Sequence, residues 1–227
     1  MRKLYDSAAG RLCRRFFHKL YTWYDIRKDK SICGMSLADY VPSPFRQEKG
    51  ACDSESTHYH YLREVFGGDC FGREDRVLDV GCGKGRVLAF FAENYPECRI
   101  DGVELNPAVA AEAQSWTGRY PRLRVIEGDA FSLDLDAYTV FLLGRPFLPE
   151  TFEAFIRKIE GEMTHPLRVY AWWDAPAGDY PAKRRGWKLL RRAWYYKRGL
   201  FPAIYAPQRY SVWEYRPAIS ARSGRMG

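Results

Sequence analysis

The segment that most constrains the fold runs from Val77 to Leu88. It holds a short apolar run, Val77 to Val80, followed by three glycines in the pattern G-x-G-x-G. This order, with apolar residues resuming afterwards at helical spacing, predicts a buried parallel strand, a tight turn and a helix. Such a turn offers backbone N–H groups to a nucleotide-like ligand, which approaches the glycines more closely than a Cβ atom would allow.

The residues around the glycines narrow the class of ligand. A phosphate-binding P-loop needs Ser or Thr after its lysine, but Lys84 is followed by Gly85. The dinucleotide fingerprint needs a third glycine where this chain has Arg86. Asp79 lies two residues before the first glycine, and a carboxylate at a strand end suits a cationic group better than a pyrophosphate. The loop therefore favours a ligand that carries positive charge.

Two further acids follow predicted strands. Glu104 ends the strand Arg99 to Glu104, about twenty residues beyond the glycines, where an acid can bind both ribose hydroxyls. Asp129 follows the strand Leu123 to Glu127 and could accept a hydrogen bond from an adenine amino group, while Phe131 packs on the ring. The alternatives are a turn cap for Asp79, a solvated strand end for Glu104 and a simple Gly-Asp turn for Asp129.

These three motifs, in this order, make the chain resemble the class I S-adenosylmethionine-dependent methyltransferases over roughly residues 76–175. The resemblance implies an α/β fold with a doubly wound, mostly parallel sheet of seven strands in the order 3-2-1-4-5-7-6, and S-adenosylmethionine as cofactor. It also implies a set of cofactor-binding residues: Asp79, Gly81, Cys82, Gly83, Gly85, Glu104, Leu105, Asp129, Ala130, Phe131 and Gly144.

The residues expected to bind the methyl acceptor depart from the pattern of that family. Class I enzymes that act on amines often carry Asn or Asp, two prolines and an aromatic residue after the fourth strand. This chain has Gly144-Arg145-Pro146-Phe147 there. A guanidinium has no atom that can accept a hydrogen bond from an amine, but it can hold a carboxylate or phosphate. It therefore mildly favours an anionic molecule as the methyl acceptor. A surface arginine that points away from the site is the alternative.

The fifth strand, Leu167 to Asp174, supplies the other candidates for the acceptor pocket. Trp172, Trp173 and Asp174 lie at its carboxyl end, where ligands bind in open parallel sheets. Asp174 is a candidate proton acceptor, and the tryptophans are alternatively core residues. The predicted catalytic residues are thus Arg145, Pro146, Phe147 and Asp174, and no metal site is predicted.

The net charge of +8 is unevenly distributed. Residues 1–30 carry +6 and residues 183–198 carry +8, whereas residues 31–182 carry −9. The acidic centre is compatible with a cationic cofactor. The basic flanks suggest a polyanion or a membrane surface as a partner. Residues 187–198 interleave basic and aromatic residues, which fits nucleic acid or, alternatively, an ordinary strand with outward-pointing cations.

The six cysteines contain no C-x-x-C pair, so neither zinc nor disulfides are expected, and the chain is predicted to be cytoplasmic. It has no apolar run of transmembrane length and no signal-peptide pattern near Met1. The His58-Tyr59-His60 segment is not expected to bind metal, because no third ligand lies nearby.

Three regions are expected: an N-terminal helical and loop extension over residues 1–66, a cofactor-binding domain over 67–217 and a disordered tail over 218–227. A helix is predicted over Leu4 to Tyr24 and a loop over 31–57. Tyr59 and Tyr61 are candidates for covering the cofactor. Residues 187–198 and 208–215 are expected to form an antiparallel pair of strands.

The function expected from the resemblance is methyl transfer from S-adenosylmethionine to a protein side chain, an amine or a small metabolite. One alternative is methylation of RNA or another polyanion through the basic flanks. The other is a cofactor-binding module without catalysis, suggested by the altered segment at residues 144–147.

Overall fold

A computed structural model describes residues 8–174, 177–195 and 208–218 of the chain. At its centre lies a seven-stranded sheet in the order β3-β2-β1-β4-β5-β7-β6, which confirms the predicted fold. Strands β1 to β5 are parallel, and β7 runs antiparallel to both β5 and β6. The strands are β1 Arg76–Val80, β2 Arg99–Glu104, β3 Leu123–Glu127, β4 Val140–Leu143, β5 Leu167–Trp172, β6 Trp187–Tyr195 and β7 Gln208–Tyr215.

Helices cover both faces of the sheet and divide the core into two apolar clusters. One cluster packs β1 and β2 against α1, α3, α4 and α5, and the other packs the opposite face against α6. Strand β4 is buried along its whole length because helices cover both of its faces. The helices are α1 Ala8–Cys33, α2 Arg46–Lys49, α3 Tyr59–Phe66, α4 Arg86–Asn94, α5 Pro107–Thr117 and α6 Pro149–Glu162.

The first helix is longer than predicted at its carboxyl end. The structure shows α1 continuing to Cys33, nine residues beyond Tyr24, while residues 4–7 of the predicted helix lie outside the described part of the chain. The apolar spacing that predicted the helix stops near Tyr24. Beyond it, the buried face of α1 carries Asp25 and Asp29, which are 1% and 0% exposed. Acids on a buried face carry no hydrophobic periodicity, so the pattern could not indicate this part of the helix.

A buried ion pair explains why those acids are tolerated. The guanidinium of Arg86, the first residue of α4, donates to Asp29 through Nε at 3.0 Å and Nη2 at 2.6 Å. Its Nη1 donates to the carbonyl of Ser56 at 3.2 Å, and the Tyr59 ring lies against its other side. This paired and hydrogen-bonded arrangement is what allows a charge to stay buried.

The segment before the glycine loop is therefore not a separate extension. Leu37, Tyr59, Leu62 and Phe66 are fully buried in the same cluster as β1 and α4. The predicted boundary at residue 66 consequently falls inside one core. The loop predicted over residues 31–57 begins only after Cys33 and is interrupted by the single turn of α2.

The β6–β7 pair forms as predicted over the described residues, and residues 196–198 lie outside them. Two of its arginines are paired within the domain: Arg191 with Asp69 at 2.5 Å and Arg192 with Asp179 at 2.7 Å. This pairing agrees with an ordinary strand more than with a nucleic-acid surface. In the described part of the chain, none of the helices has the length and apolar character needed to cross a membrane. The tail beyond residue 218 lies outside the described residues.

We expect Asp29→Asn to lower the free energy of unfolding by about 3 kcal/mol, because it leaves the buried Arg86 charge without its main partner. Chemical denaturation followed by circular dichroism measures this change. Asp39→Asn is the matched control, since Asp39 pairs with Lys84 at 3.4 Å but its side chain is 77% exposed. That variant should stay within about 0.5 kcal/mol of the parent. Equal losses in the two variants would contradict the structural role of the pair.

Candidate cofactor and acceptor site

The carboxyl ends of β1, β2, β3 and β4 meet at one edge of the sheet and open into a cleft. Ten of the eleven predicted cofactor residues line it, all except Gly85. Gly85 instead lies behind the loop, where an added Cβ would come within 2.9 Å of the Trp116 ring. Its place is at the start of α4 rather than at the ligand.

Backbone hydrogen bonds hold the glycine loop over β2. The N–H groups of Gly81 and Cys82 both donate to the carbonyl of Val103, at 2.9 and 3.0 Å. Gly81 has a φ of 68°, and an added Cβ would approach the Pro146 ring at 2.8 Å. Glycine at this position therefore permits both the turn and close contact with the segment after β4.

Asp79 is the most unusual group in the cleft. Its side chain is only 2% exposed, and no described residue hydrogen-bonds its Oδ2 atom. Burial, and secondarily the negative charge of Glu104, raise its pKa well above the usual range. An unpaired buried carboxylate is costly unless a ligand completes it. A cationic group, such as the ammonium of a bound amino-acid moiety, would do so.

Glu104 lies beside the loop with its carboxylate already oriented. Its Oε2 accepts from the Gly83 N–H at 3.0 Å and its Oε1 accepts from the Asn106 N–H at 2.8 Å. Burial raises its pKa, although these backbone N–H groups act in the opposite direction. Each carboxylate oxygen keeps a second lone pair, so the group can still accept from two vicinal hydroxyls.

The residues expected around the adenine lie together at the end of β3. Asp129 accepts from the Phe131 N–H at 2.9 Å through Oδ1, and its Oδ2 lies 3.5 Å from the Lys49 ammonium. The Phe131 ring packs beside Phe147. Leu105, Ala130 and Phe131 complete an apolar wall next to these polar atoms. The roles of these residues in binding adenine stay predictions.

A segment that the sequence did not indicate forms the outer wall of the cleft. We call residues 50–57 the strap. Its first residues pair antiparallel with residues 146–148: the Cys52 N–H donates to Pro146 O at 2.9 Å and the Leu148 N–H donates to Gly50 O at 2.7 Å. Thr57 at its other end accepts from the Trp172 indole at 3.0 Å. The strap has no periodic pattern, and its pairing partner lies about ninety residues away, so no local signal could identify it.

Two residues that lie next to each other in space, after the ends of β4 and β5, have unusual backbone conformations. Arg145 and Trp173 have φ values of 54° and 58° and are the only non-glycine residues with positive φ in the described part of the chain. They follow β4 and β5, and the Arg145 guanidinium lies over the Trp173 ring, 5.6 Å from its centre. Strained residues held at the end of a sheet point to a functional region.

The arrangement differs from an amine-binding site. The Pro146 carbonyl already accepts from Cys52, and the side chain of Arg145 has no atom that can accept a hydrogen bond. Next to these residues lies a mostly apolar pocket with about 230 Å³ of space. Its lining includes Phe147, Trp172 and Trp173, with Arg46 and Arg145 supplying positive charge and Asp174 a carboxylate that is paired with Arg209.

The prediction that Asp174 accepts a proton finds no support in its contacts. The carboxylate is fully buried, and both of its oxygens are engaged: Oδ1 accepts from Arg209 Nε and Oδ2 from Ser211 Oγ, each at 2.6 Å. These bonds tie the end of β5 to β7. A carboxylate held in this way stabilises the sheet and is poorly placed to take a proton from an acceptor.

Tyr59 is likewise too deeply buried to cover a cofactor, since it is fully enclosed in the core. A second cavity adjoins the cleft and is lined by His58, Tyr61, Thr57 and Arg145 among others. Buried Asp25 holds the Nδ1 atom of His58 at 2.5 Å, which leaves Nε2 for a ligand in this cavity. No local sequence pattern indicates this pair, because its members are 33 residues apart.

Comparisons with known proteins agree with this geometry. A family model described as a methyltransferase domain matches residues 77–159. In solved structures, the chain is similar to an RNA methyltransferase from Salinibacter ruber bound to S-adenosyl-L-homocysteine, with a TM-score of 0.52 and 17% identity over 82% of this chain and 100% of that one. It is also similar to a methyltransferase from Pyrococcus furiosus, with a TM-score of 0.58 and 12% identity over 88% and 98% of the two chains.

The fold is therefore that of the S-adenosylmethionine-dependent methyltransferases, and the match of residues 77–159 to a methyltransferase domain supports S-adenosylmethionine as the cofactor. Among curated proteins, the chain is similar to the tRNA1(Val) (adenine(37)-N6)-methyltransferase of Yersinia pestis (strain Pestoides F), with 51% identity over 41 residues. That match covers 18% of this chain and only 16% of the relative. The described cleft fits the cofactor, since unpaired Asp79 suits its ammonium group and Glu104 suits its ribose.

We expect Asp79→Asn to stabilise the protein without cofactor and to weaken cofactor binding. Because the pKa of Asp79 is raised, the folded state keeps this proton at pH values where the unfolded state has lost it. The free energy of unfolding therefore falls as the pH rises from the pKa of Asp79 in the unfolded state through its pKa in the folded state. Asparagine removes that loss, and the melting temperature at pH 8 should rise. Calorimetric affinity for S-adenosylmethionine should fall by roughly 1–3 kcal/mol.

Asp101→Asn provides the control for this pair of effects. Asp101 lies on β2 outside the cleft and pairs with Arg124 at 2.5 Å, so its loss should leave cofactor affinity unchanged and should not raise the melting temperature. A parent protein that binds NAD instead of S-adenosylmethionine, or an Asp79→Asn variant with parental affinity, would show the site assignment to be wrong.

Proposed function

We propose that the chain transfers the methyl group of S-adenosylmethionine to a small acceptor that combines an apolar body with an anionic group. The observation that carries this proposal is the apolar pocket beside the cofactor cleft, with Arg145 fixed over Trp173 at its entrance. Within the range expected from sequence, which included protein side chains, amines and small metabolites, this geometry favours the small metabolite.

The two cations of the pocket have different surroundings. Arg46 is half exposed and lies 3.4 Å from Asp53, so much of its charge is already compensated. Arg145 has an aromatic partner but no carboxylate among the ion pairs of the described residues. A guanidinium can bind a carboxylate or phosphate through two parallel hydrogen bonds. We therefore assign the binding of the acceptor anion chiefly to Arg145.

The aromatic residues would hold the apolar body of the acceptor. Trp172 lies between the cofactor cleft and the apolar pocket and lines both. An added Cβ at Gly144 would come within 2.6 Å of its ring, so glycine at the end of β4 is what lets the indole lie there. Phe147 lines both spaces as well. An acceptor packed on these rings would lie next to the cofactor.

The cofactor supplies a methyl group that is already activated by a sulphonium charge, so the protein contributes mainly alignment and exclusion of water. An acceptor oxygen that is already ionised needs no base. A hydroxyl acceptor would have to lose its proton, and His58, oriented by Asp25, is suitably placed in the adjoining cavity.

Methylation of RNA is the second candidate, favoured by the short match to a tRNA methyltransferase. Two observations weigh against it. The segment Gly144 to Phe147 has no side chain that could accept a hydrogen bond from an adenine amino group, and Arg191 and Arg192 of the basic strand β6 are paired with acids of the same domain. Steep loss of RNA affinity with salt would support this candidate.

We expect Arg145→Gln to raise the KM for the acceptor by about thirtyfold, corresponding to about 2 kcal/mol for a lost charged hydrogen bond, while cofactor affinity stays unchanged. Turnover of radiolabelled S-adenosylmethionine is first screened against apolar carboxylic acids, apolar phosphates, phenols, amines and total tRNA. The variant is then compared with the parent on the best acceptor.

Arg157→Gln is the matched control, because Arg157 is a half-exposed arginine that also lies over an aromatic ring, that of Tyr180, but outside the cleft. It should behave like the parent. Turnover only with tRNA or amines would overturn the proposal, and binding of cofactor without any turnover would favour a module without catalysis. A collapse of cofactor affinity in Arg145→Gln would make Arg145 structural.

A further inference from the structure

The first helix buries two acids and exposes four large apolar side chains, which is unusual for a surface helix. Its inward face carries the acids Asp25 and Asp29, which are almost completely buried. Its outward face carries four large apolar side chains that are between 46% and 70% exposed: Leu12, Phe16, Leu20 and Trp23. Their spacings of four, four and three residues place them on one side of the helix. Soluble helices normally show the opposite arrangement.

Most of the side chains described in the amino-terminal half of this helix also have little contact with the rest of the domain. Of the side chains described between residues 12 and 20, only Phe17 is partly covered, and the others are exposed. A helical segment that packs on little is marginally stable in water by itself. An exposed apolar stripe on such a segment indicates an interaction surface.

The positive charge of the outward face favours an anionic partner. Every charged side chain described as exposed on α1 is basic: Arg15, Lys19, Arg27 and Lys30. Both acids of the described helix are turned inward and already paired with His58 and Arg86. The Arg27 guanidinium lies 5.7 Å from the centre of the Trp23 ring, so charge and apolar surface are adjacent.

We propose that the outward face of α1 binds an anionic lipid bilayer, with Leu12, Phe16, Leu20 and Trp23 inserted at the headgroup level and the basic residues against lipid phosphates. Interfacial helices combine a large apolar side chain, Trp and Lys or Arg in this way. A second copy of the chain would bring like charges together. Phe16 and Trp23 could stack on the bases of RNA, but the aliphatic Leu12 and Leu20 beside them fit a lipid surface better.

The position of the helix gives this surface a relation to the site. His18 of α1 lines the second cavity together with Arg145 and Trp173. Because residues two apart lie on opposite sides of a helix, His18 is across α1 from Phe16 and Leu20, so a bilayer on the outward face would lie across the helix from this cavity. Binding to lipid does not depend on the proposed acceptor, so the two proposals can fail separately.

The test is co-flotation of the full chain with vesicles of phosphatidylcholine containing about one third phosphatidylglycerol, compared with vesicles of phosphatidylcholine alone. We expect binding to the anionic vesicles only, and at least a tenfold loss of partitioning in the double variant Phe16→Ser, Leu20→Ser. Charge reversal by Arg15→Glu and Lys19→Glu should cause a similar loss. Because all four side chains are exposed, melting temperatures should stay parental.

The matched control is the double variant Leu189→Ser, Leu190→Ser, which removes two apolar side chains that are 39% and 46% exposed on β6. It should bind vesicles within twofold of the parent. The proposal is overturned if the parent does not bind anionic vesicles, or if the control loses binding as strongly. It is also overturned if the α1 variants abolish a dimer seen by light scattering or the binding of an RNA oligonucleotide while vesicle binding persists.

Discussion

The ion pair between Arg86 and Asp29 connects the parts of the molecule on which the site depends. Arg86 begins the helix after the glycine loop, Asp29 belongs to the first helix, and the same guanidinium holds the carbonyl of Ser56 in the strap. One buried charge therefore fixes the position of the loop, the helix and the outer wall of the cleft. In many proteins an apolar cluster could do this, but a directional contact also sets the orientation of the three segments.

Most of the fold could be predicted from the sequence because its signals are local. An apolar run before Gly81 predicts β1, and Asp79 and Glu104 lie at the carboxyl ends of β1 and β2. Parallel strands bring their carboxyl ends to one edge of the sheet, so these acids are expected to lie together. The strap and the pairing of Asp25 with His58 could not be predicted, since each joins residues far apart in the chain. The pairing of Asp174 with Arg209, which lies on a later strand, could not be predicted for the same reason, whereas its position in the lining of the pocket could.

The distribution of charge has a different meaning in the two basic flanks. On β6, Arg191 and Arg192 compensate acids of the domain, so part of the local excess of positive charge is internal. On α1 the relation is reversed, because the acids are inside and the exposed charges are basic. Net charge by segment could not distinguish these cases. The difference depends on which face of each element the charges occupy.

The strap has a consequence for the order of events during turnover. Its residues line both the cofactor cleft and, through Cys52, the apolar pocket, and backbone hydrogen bonds fasten it to residues 146–148. We propose that replacement of spent cofactor opens this wall, which also lines the proposed acceptor pocket. The two exchanges are thus coupled through one piece of backbone. We expect the opening of the strap, rather than methyl transfer itself, to limit the turnover rate of the enzyme.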